Sequence, residues 1–257
     1  MLHKVRKELH DEPIEKRSGY YRIIEGLTGK PRATYNTIKS LYEKNNFLKA
    51  SPQEVPKIPK IIHQIWLGTR KLSAECEECR QHWIKYHPSW EYRLWTDEEV
   101  GNYRFIDKNN EKLFHKSSQI GEKIDILQYD ILNKIGGLYV DVNCDCFQTF
   151  DLLNDSYDFL CGLLSPVPQK YSEEQIIVKN AVVGAKPGHP IIKLIGQLLM
   201  DRWDGSPYPD DLIYTKMYRT YAVLTLAVLD GANLNGNKDI ILPGSYFYPE
   251  YDDMLSY

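Results

Sequence analysis

The stretch that most limits what this chain can fold into is IGEKIDILQYDILNKIGGLYVDVNCD, residues 120–145. Ile120, Ile124, Leu127, Ile131 and Ile135 recur at spacings of three and four, which predicts an amphipathic helix. Gly136 stands where a helix end takes a left-handed residue. The period then changes from helical to alternating, and LYVDV reads as a strand. A helix turning into a strand through a two-glycine corner is a unit of an α/β sheet.

That strand ends in Asp141, Asn143 and Asp145. If residues 138–146 stay extended, Tyr139, Asp141, Asn143 and Asp145 share one face, and Val140, Val142, Cys144 and Cys146 the other. The second set reads as core. The first is a column of oxygen ligands at the carboxyl end of a strand, where open α/β sheets bind ligands. Clustered carboxylates raise each other's pKa unless a cation neutralises them. Carboxylate and amide oxygens suit Mg²⁺ or Mn²⁺, which keep positions open for phosphate oxygens. The pattern points to a divalent ion held between acidic side chains and a diphosphate. Its bland alternative is a strand end with solvated acids.

The surrounding sequence supplies more of the same grammar. KIIHQIWLG reads as a buried strand ended by Gly68, SAECEECRQHWIKYHP as a helix closed by Pro88, and WEYRLWT as a strand. Thr96 and Glu99 form a capping box that opens another helix. SYDFLCGLL, QIIVKNAVVGA and DIILPGSYFYP read as further strands, and HPIIKLIGQLLMDRW and TYAVLTLAVLD as helices. Residues 1–55 differ. They are charged and Tyr-rich, with Tyr35, Ile38, Leu41 and Tyr42 at helical spacing, and SPQEVPKIP reads as a linker. The expected organisation is a small helical N-terminal extension, residues 1–55, followed by one α/β domain over residues 56–257.

Other classes lose ground. The formal net charge of −3 gives no footprint for nucleic acid. No apolar run reaches the roughly 20 residues that span a bilayer, and the charged N-terminus lacks a signal-peptide core. Five cysteines at uneven spacing do not read as a disulfide framework, so a cytoplasmic, reducing setting is expected. Cys76, Cys79, Cys144 and Cys146 could make a zinc site, but the core reading of the latter pair needs no metal. His63 and His87 read as structural, Asp130 as a solvated helix residue, and His189 as a turn residue with an acceptor-site role as the alternative. No Walker loop, dinucleotide fingerprint or supported catalytic triad is present.

Four blocks, IPKIIHQIWLG, HPSWEYRLWTDEE, KIDILQYDILNKIGGLYVDVNCDCFQTFD and NAVVGAKPGHP, resemble in order and spacing the DXD-containing glycosyltransferases of family 32. The resemblance covers roughly residues 57–250. It implies a GT-A fold, with a mostly parallel twisted sheet flanked by helices, and a nucleotide-sugar donor whose diphosphate is held by Mn²⁺ or Mg²⁺. It also implies transfer with retention to a glycan or lipid-linked acceptor. By the same resemblance Trp66, beside the backbone of Ile65, stacks on the base, Asp125 holds sugar hydroxyls, and Tyr139 lies near the diphosphate. Asp141 is the first Asp of the motif, Asn143 stands where the second is expected, Asp145 adds an acid, and Asn180 opens a segment near the sugar. The catalytic set implied is Asp125, Gln128 and Asp141, and the metal set Asp141, Asn143 and Asp145.

Two departures stand out. Asn143 brings no charge, and Gln128 occupies a position where the family commonly has Arg. The family's C-terminal metal or phosphate contact has no histidine here, leaving Glu250, Asp252 or Asp253 to serve. The expected activity is hexose transfer from a UDP- or GDP-sugar to a hydroxyl. The rivals are a catalytically silent sugar- or nucleotide-binding module, favoured by those departures, and a metal-dependent diphosphate hydrolase.

Overall fold

The computed structural model describes residues 27–45, 50–163, 176–206 and 210–247. Among these the chain forms α1 (Gly29–Lys44), β1 (Ile61–Ile65), α2 (Ala74–Tyr86), β2 (Glu91–Trp95), α3 (Asp97–Gly101), α4 (Lys108–Lys116), α5 (Ile120–Lys134) and β3 (Gly137–Val140). There follow α6 (Asp151–Ser156), β4 (Phe159–Leu163), β5 (Val178–Ala185), α7 (Pro190–Arg202), α8 (Leu212–Lys216), α9 (Ala222–Gly231) and β6 (Asp239–Leu242). A π-helical turn over Met217–Tyr221 joins α8 to α9.

The strands make one six-stranded sheet in the order β2-β1-β3-β5-β4-β6. β1 is parallel to β2 and β3, and β4 to β6, while β5 is antiparallel to both its neighbours. Every strand but β5 therefore points the same way, and the expected mostly parallel α/β sheet is what forms. The reversal of β5 has a consequence for the site. It brings the start of β5 to the edge where β1 and β3 end, and Asp141 donates its backbone N–H to the Ala181 carbonyl at 2.8 Å.

Alternation along the strands splits the core into two layers. Tyr139, Phe159, Cys161, Val183 and Ile241 pack with α5, α7 and α9. Leu138, Val140, Leu160, Ala181 and Ile240 pack on the other side with Trp83, Trp90 and Cys146. Tyr35, Ile38 and Leu41 of α1 join the first layer, so the described part of the N-terminal extension shares the main core.

Several local expectations change. Helix α5 is not a one-sided amphipathic helix. Ile126 and Leu132 are as buried as Leu127 and Ile131, and every residue from Asp125 to Leu132 is buried, whereas Ile120 is exposed. It is a central helix, packed against β3, β5, α4 and α7. Gly136 does close it, at φ 70°, with its N–H donated to the Leu132 carbonyl at 3.0 Å. The capping box Thr96–Glu99 is present, but α3 spans only five residues, and α4 follows as a separate helix.

The strand after Gly136 is shorter than expected. β3 ends at Val140, and the chain turns at once, with Cys144 donating its N–H to the Asp141 carbonyl at 3.0 Å. Asp141, Asn143 and Asp145 thus do not form an extended column. The alternation holds only as far as Val140, although Cys144 and Cys146 still pack with the second core layer.

Candidate active site

The site is built at the carboxyl edge of β1 and β3. Trp66 is the first residue beyond β1. Its N–H bonds the Trp95 carbonyl at 2.9 Å, and its ring Nε1–H bonds the Arg70 carbonyl at 2.6 Å. Ile65 is buried, whereas the Trp66 indole is half-buried, so a held aromatic face borders solvent. Trp95 is core and donates its Nε1–H to His63 Nδ1 at 3.1 Å. His63 donates Nε2–H to the Gly136 carbonyl at 2.8 Å, and burial lowers its pKa to about 4. His63 is a neutral structural residue that ties β1 to the glycine corner. Gly137 makes this possible: at φ 109°, a Cβ there would lie 2.9 Å from His63 Nε2.

Asp141 is the first residue beyond β3. Its Oδ1 accepts the Tyr139 hydroxyl at 2.8 Å, which brings these two site residues together. Burial pushes the Asp141 carboxyl up to about 6, Asp125 adds to the rise, and the Tyr139 bond and the cations Lys216 and Lys179 oppose it. Burial also lowers the pKa of Lys179. The Asp141 carbonyl is reached by the Nε2 of buried Gln64 at 3.4 Å.

Asp125 lies deeper, on α5. Its Oδ1 accepts Asn180 Nδ2 at 3.0 Å, and its Oδ2 accepts the Thr220 hydroxyl at 2.6 Å and lies 3.3 Å from Lys216 Nζ. Burial raises the Asp125 pKa, against Lys216 and the two hydrogen bonds. Gln128 is fully buried. It donates Nε2–H to the Asn180 carbonyl at 2.7 Å, and its Oε1 has no hydrogen-bond partner among the described residues. The structure thus gathers Asp125, Gln128 and Asn180 into one network.

Asn143 and Asp145 sit on the exposed turn beyond Asp141. Asp145 Oδ1 accepts from the Cys146 N–H at 2.7 Å and lies 2.7 Å from His82 Nδ1. Among the described residues no group of three or more His, Cys, Asp or Glu side chains is arranged to hold a metal, and the five cysteines are free thiols. The zinc alternative therefore has no preformed ligand group in the described residues. The chemistry of the Asp141 turn still fits a hard divalent ion. Its donors are all oxygens, and a carboxylate with raised pKa beside Asp125 gains from a neutralising cation. Glu250, Asp252 and Asp253 lie outside the described residues.

Two other expectations are corrected. Asp130 is not solvated. It is fully buried and accepts from the Tyr103 hydroxyl, the backbone N–H groups of Ile106 and Asp107, and Asn110 Nδ2. His189 lies at the opposite edge of the sheet, beyond the end of β5, where it caps α7 and bonds Asp239 Oδ1 at 3.0 Å. Sequence reasoning missed Lys216, Thr220, Lys179 and Gln64. Only Gln64 and Lys179 carried a signal, as neighbours of Ile65 and Asn180. Lys216 and Thr220 reach the site through a π-helical turn that has no local signature.

The six-stranded sheet flanked by helices, with acids and an aromatic at its carboxyl edge, is an α/β fold of GT-A type. Residues 73–160 match the family model described as the glycosyltransferase sugar-binding region containing the DXD motif. The chain is 25% identical over 199 residues to an uncharacterized glycosyltransferase of Acanthamoeba polyphaga mimivirus, covering 75% of this chain and 73% of that one. It is 35% identical over 147 residues to inositol phosphoceramide mannosyltransferase 2 of Schizosaccharomyces pombe, covering 56% of this chain and 39% of that protein. It is 31% identical over 158 residues to a mannosyl phosphorylinositol ceramide synthase of Saccharomyces cerevisiae, covering 60% and 38%. The match thus spans less than half of either yeast relative. Among solved structures, the PaToxG glycosyltransferase superposes with a TM-score of 0.56 at 17% identity, covering 80% of this chain and 81% of that one. Residues 73–160 are thus similar to the DXD sugar-binding region of glycosyltransferases, and the fold is similar to that of a glycosyltransferase. The family match and the relatives' names together support a transferase enzyme. Among the described residues no helix is long and apolar enough to cross a membrane.

Proposed function

We propose that this chain transfers a hexose from a UDP- or GDP-sugar to a hydroxyl of a glycan or glycolipid-like acceptor, with retention of anomeric configuration and dependence on Mn²⁺ or Mg²⁺. The observation that carries the reading is the convergence of Trp66, Asp125, Gln128, Asn180 and Asp141 on one sheet edge, with a buried Gln128 acceptor left unpartnered. The yeast relatives named as mannosyltransferases make a mannosyl donor the first to test.

In this reading Trp66 stacks on the base, an interaction worth about 1–3 kcal/mol. Asp125, Gln128 and Asn180 take the sugar hydroxyls. Asp125 can accept more than the contacts it already has, since a carboxylate offers about four lone-pair sites. Gln128 Oε1 accepts a hydroxyl that would otherwise bond water. Asp141, Asn143 and Asp145 hold the divalent ion, and Tyr139 keeps Asp141 oriented. The ion, when bound, neutralises charge on the departing diphosphate. The bond between the sugar carbon and the β-phosphate oxygen breaks with its electron pair left on that oxygen. The acceptor oxygen bonds the same face of the sugar and gives its proton to the leaving phosphate. No protein nucleophile is required. The five free thiols suit a reducing setting, and we place the activity in the cytoplasm.

The test is nucleotide release from a panel of UDP- and GDP-sugars, with Mn²⁺ and with EDTA, on wild type and Asp141→Ala. Release from one donor, lost in EDTA and in the variant and accelerated by a hydroxyl acceptor, is expected. Donor binding that persists in EDTA with no release would replace this reading with a silent binding module. Release indifferent to acceptors and to loss of Asp125 would make it a hydrolase.

A further inference from the structure

The charges around Asp125 and Asp141 do not all come from the two motif-bearing elements. Beside Asp125, helix α5 supplies only a neutral, buried Gln128. Besides Lys179 on β5, which acts on Asp141, an ammonium comes from Lys216, at the end of α8, 3.3 Å from Asp125 Oδ2. Asp125 does not need it for hydrogen bonding, since Asn180 and Thr220 already serve both its oxygens. The Lys216 side chain is 28% exposed where that of Asp125 is 6%, so the ammonium stands between the buried carboxylate and water. It acts on Asp141 too, favouring the charged form of both acids.

The path that Lys216 takes is built for it. Its chain lies across the first turn of α5 at Gly121, where a Cβ would come within 2.9 Å of Nζ and 3.3 Å of Cε. Tyr221, one turn on, sets its ring 5.3 Å from the same ammonium. Thr220, from the adjoining π-helical turn, binds the oxygen that Lys216 faces. A lysine ammonium has three donor hydrogens. With Asp125 as its ion-pair partner, donors remain for an anion arriving from the solvent side.

We infer that Lys216 is a donor-binding cation of this site, taking an oxygen of the nucleotide sugar's diphosphate while its contact with Asp125 keeps it aimed. The inference rests on the transferase reading above. It assigns the phosphate contact to a residue more than 50 positions beyond the matched family region, on a helix that bears no motif. Lys216 then also steadies the charge left on the phosphate when the sugar departs, as a positioned cation does at a developing oxyanion.

The experiment is calorimetric titration of UDP, GDP, uridine and guanosine, with Mn²⁺ throughout, into wild type, Lys216→Met and Gly121→Ala. Lys216→Met should weaken the preferred nucleoside diphosphate by about 10- to 100-fold, the scale of a charged hydrogen bond. The matching nucleoside, which has no phosphate, should be little changed. Gly121→Ala keeps the charge but crowds the ammonium. Alanine is the better helix former, so melting should not fall while diphosphate affinity does. Equal losses for nucleoside and diphosphate, or no loss for either, would overturn the role of Lys216 and leave the transferase reading standing. A wild type that binds neither UDP nor GDP would bring down that reading and this inference together.

Discussion

Asp130 and Asp125 lie on one helix, five residues and about 140° apart, and both carboxylates are buried. Asp130 accepts four hydrogen bonds, two of them from the main chain at Ile106 and Asp107, all within 27 residues of sequence. Among the described residues Asp125 is held only by side chains, from Asn180, Thr220 and Lys216, which lie 55 to 95 residues away. Main-chain donors cannot swing aside, so the Asp130 region is a fastener for the loop before α4. Side-chain donors can re-aim, so the Asp125 region can exchange partners with a ligand. Burial alone does not separate a fastening carboxylate from one free to exchange partners. The origin of their partners does.

The comparison can be broken in several places. Asp130→Ala should destabilise the fold by about 4 kcal/mol or more, because four donors lose their acceptor at once. Chemical denaturation measures it, and a loss no larger than that of Asp125→Asn would dissolve the distinction. His63 tests the structural side by pH. Its folded pKa of about 4 lies below the usual 6.5, so the unfolded chain takes up the proton more readily. Stability should therefore fall as pH drops from about 6.5 toward 4, by about 3 kcal/mol in all. His63→Asn should flatten that slope.

On the functional side, Asp125→Asn should cut nucleotide release by about a hundredfold with a much smaller effect on melting. Trp66→Ala should cost about 1–3 kcal/mol of donor affinity, for nucleoside and nucleotide alike, which separates it from Lys216. The smallest effect belongs to Asp145. Its partly exposed pair with His82 carries well under about 1 kcal/mol of stability, so Asp145→Ala should leave melting unchanged and act on Mn²⁺ affinity instead.

The legible parts of the site are those where local period and identity coincide. Trp66 closing β1, Gly136 ending α5 and the strand carrying Tyr139 to Asp141 all follow from short-range pattern. The illegible parts arise from reversal and turning. The extended column failed because a turn begins at Asp141, which alternation cannot foresee. Asp130 was misjudged because its partners sit in a loop that packs across a helix buried around most of its circumference. His189 was uncertain until the direction of β5 put it at the far edge.

By itself, the sequence determined the alternation of strands and helices, the glycine corner and the acids at a strand end. Each depends on residues close enough along the chain for side-chain period and backbone φ to dictate the outcome. The tertiary structure decided which charges meet. It set β5 against its neighbours to deliver Asn180 and Lys179, and bent the chain through a π-helical turn to deliver Lys216 and Thr220. Those encounters join residues up to 95 positions apart. They are settled by packing of the whole core rather than by any local preference.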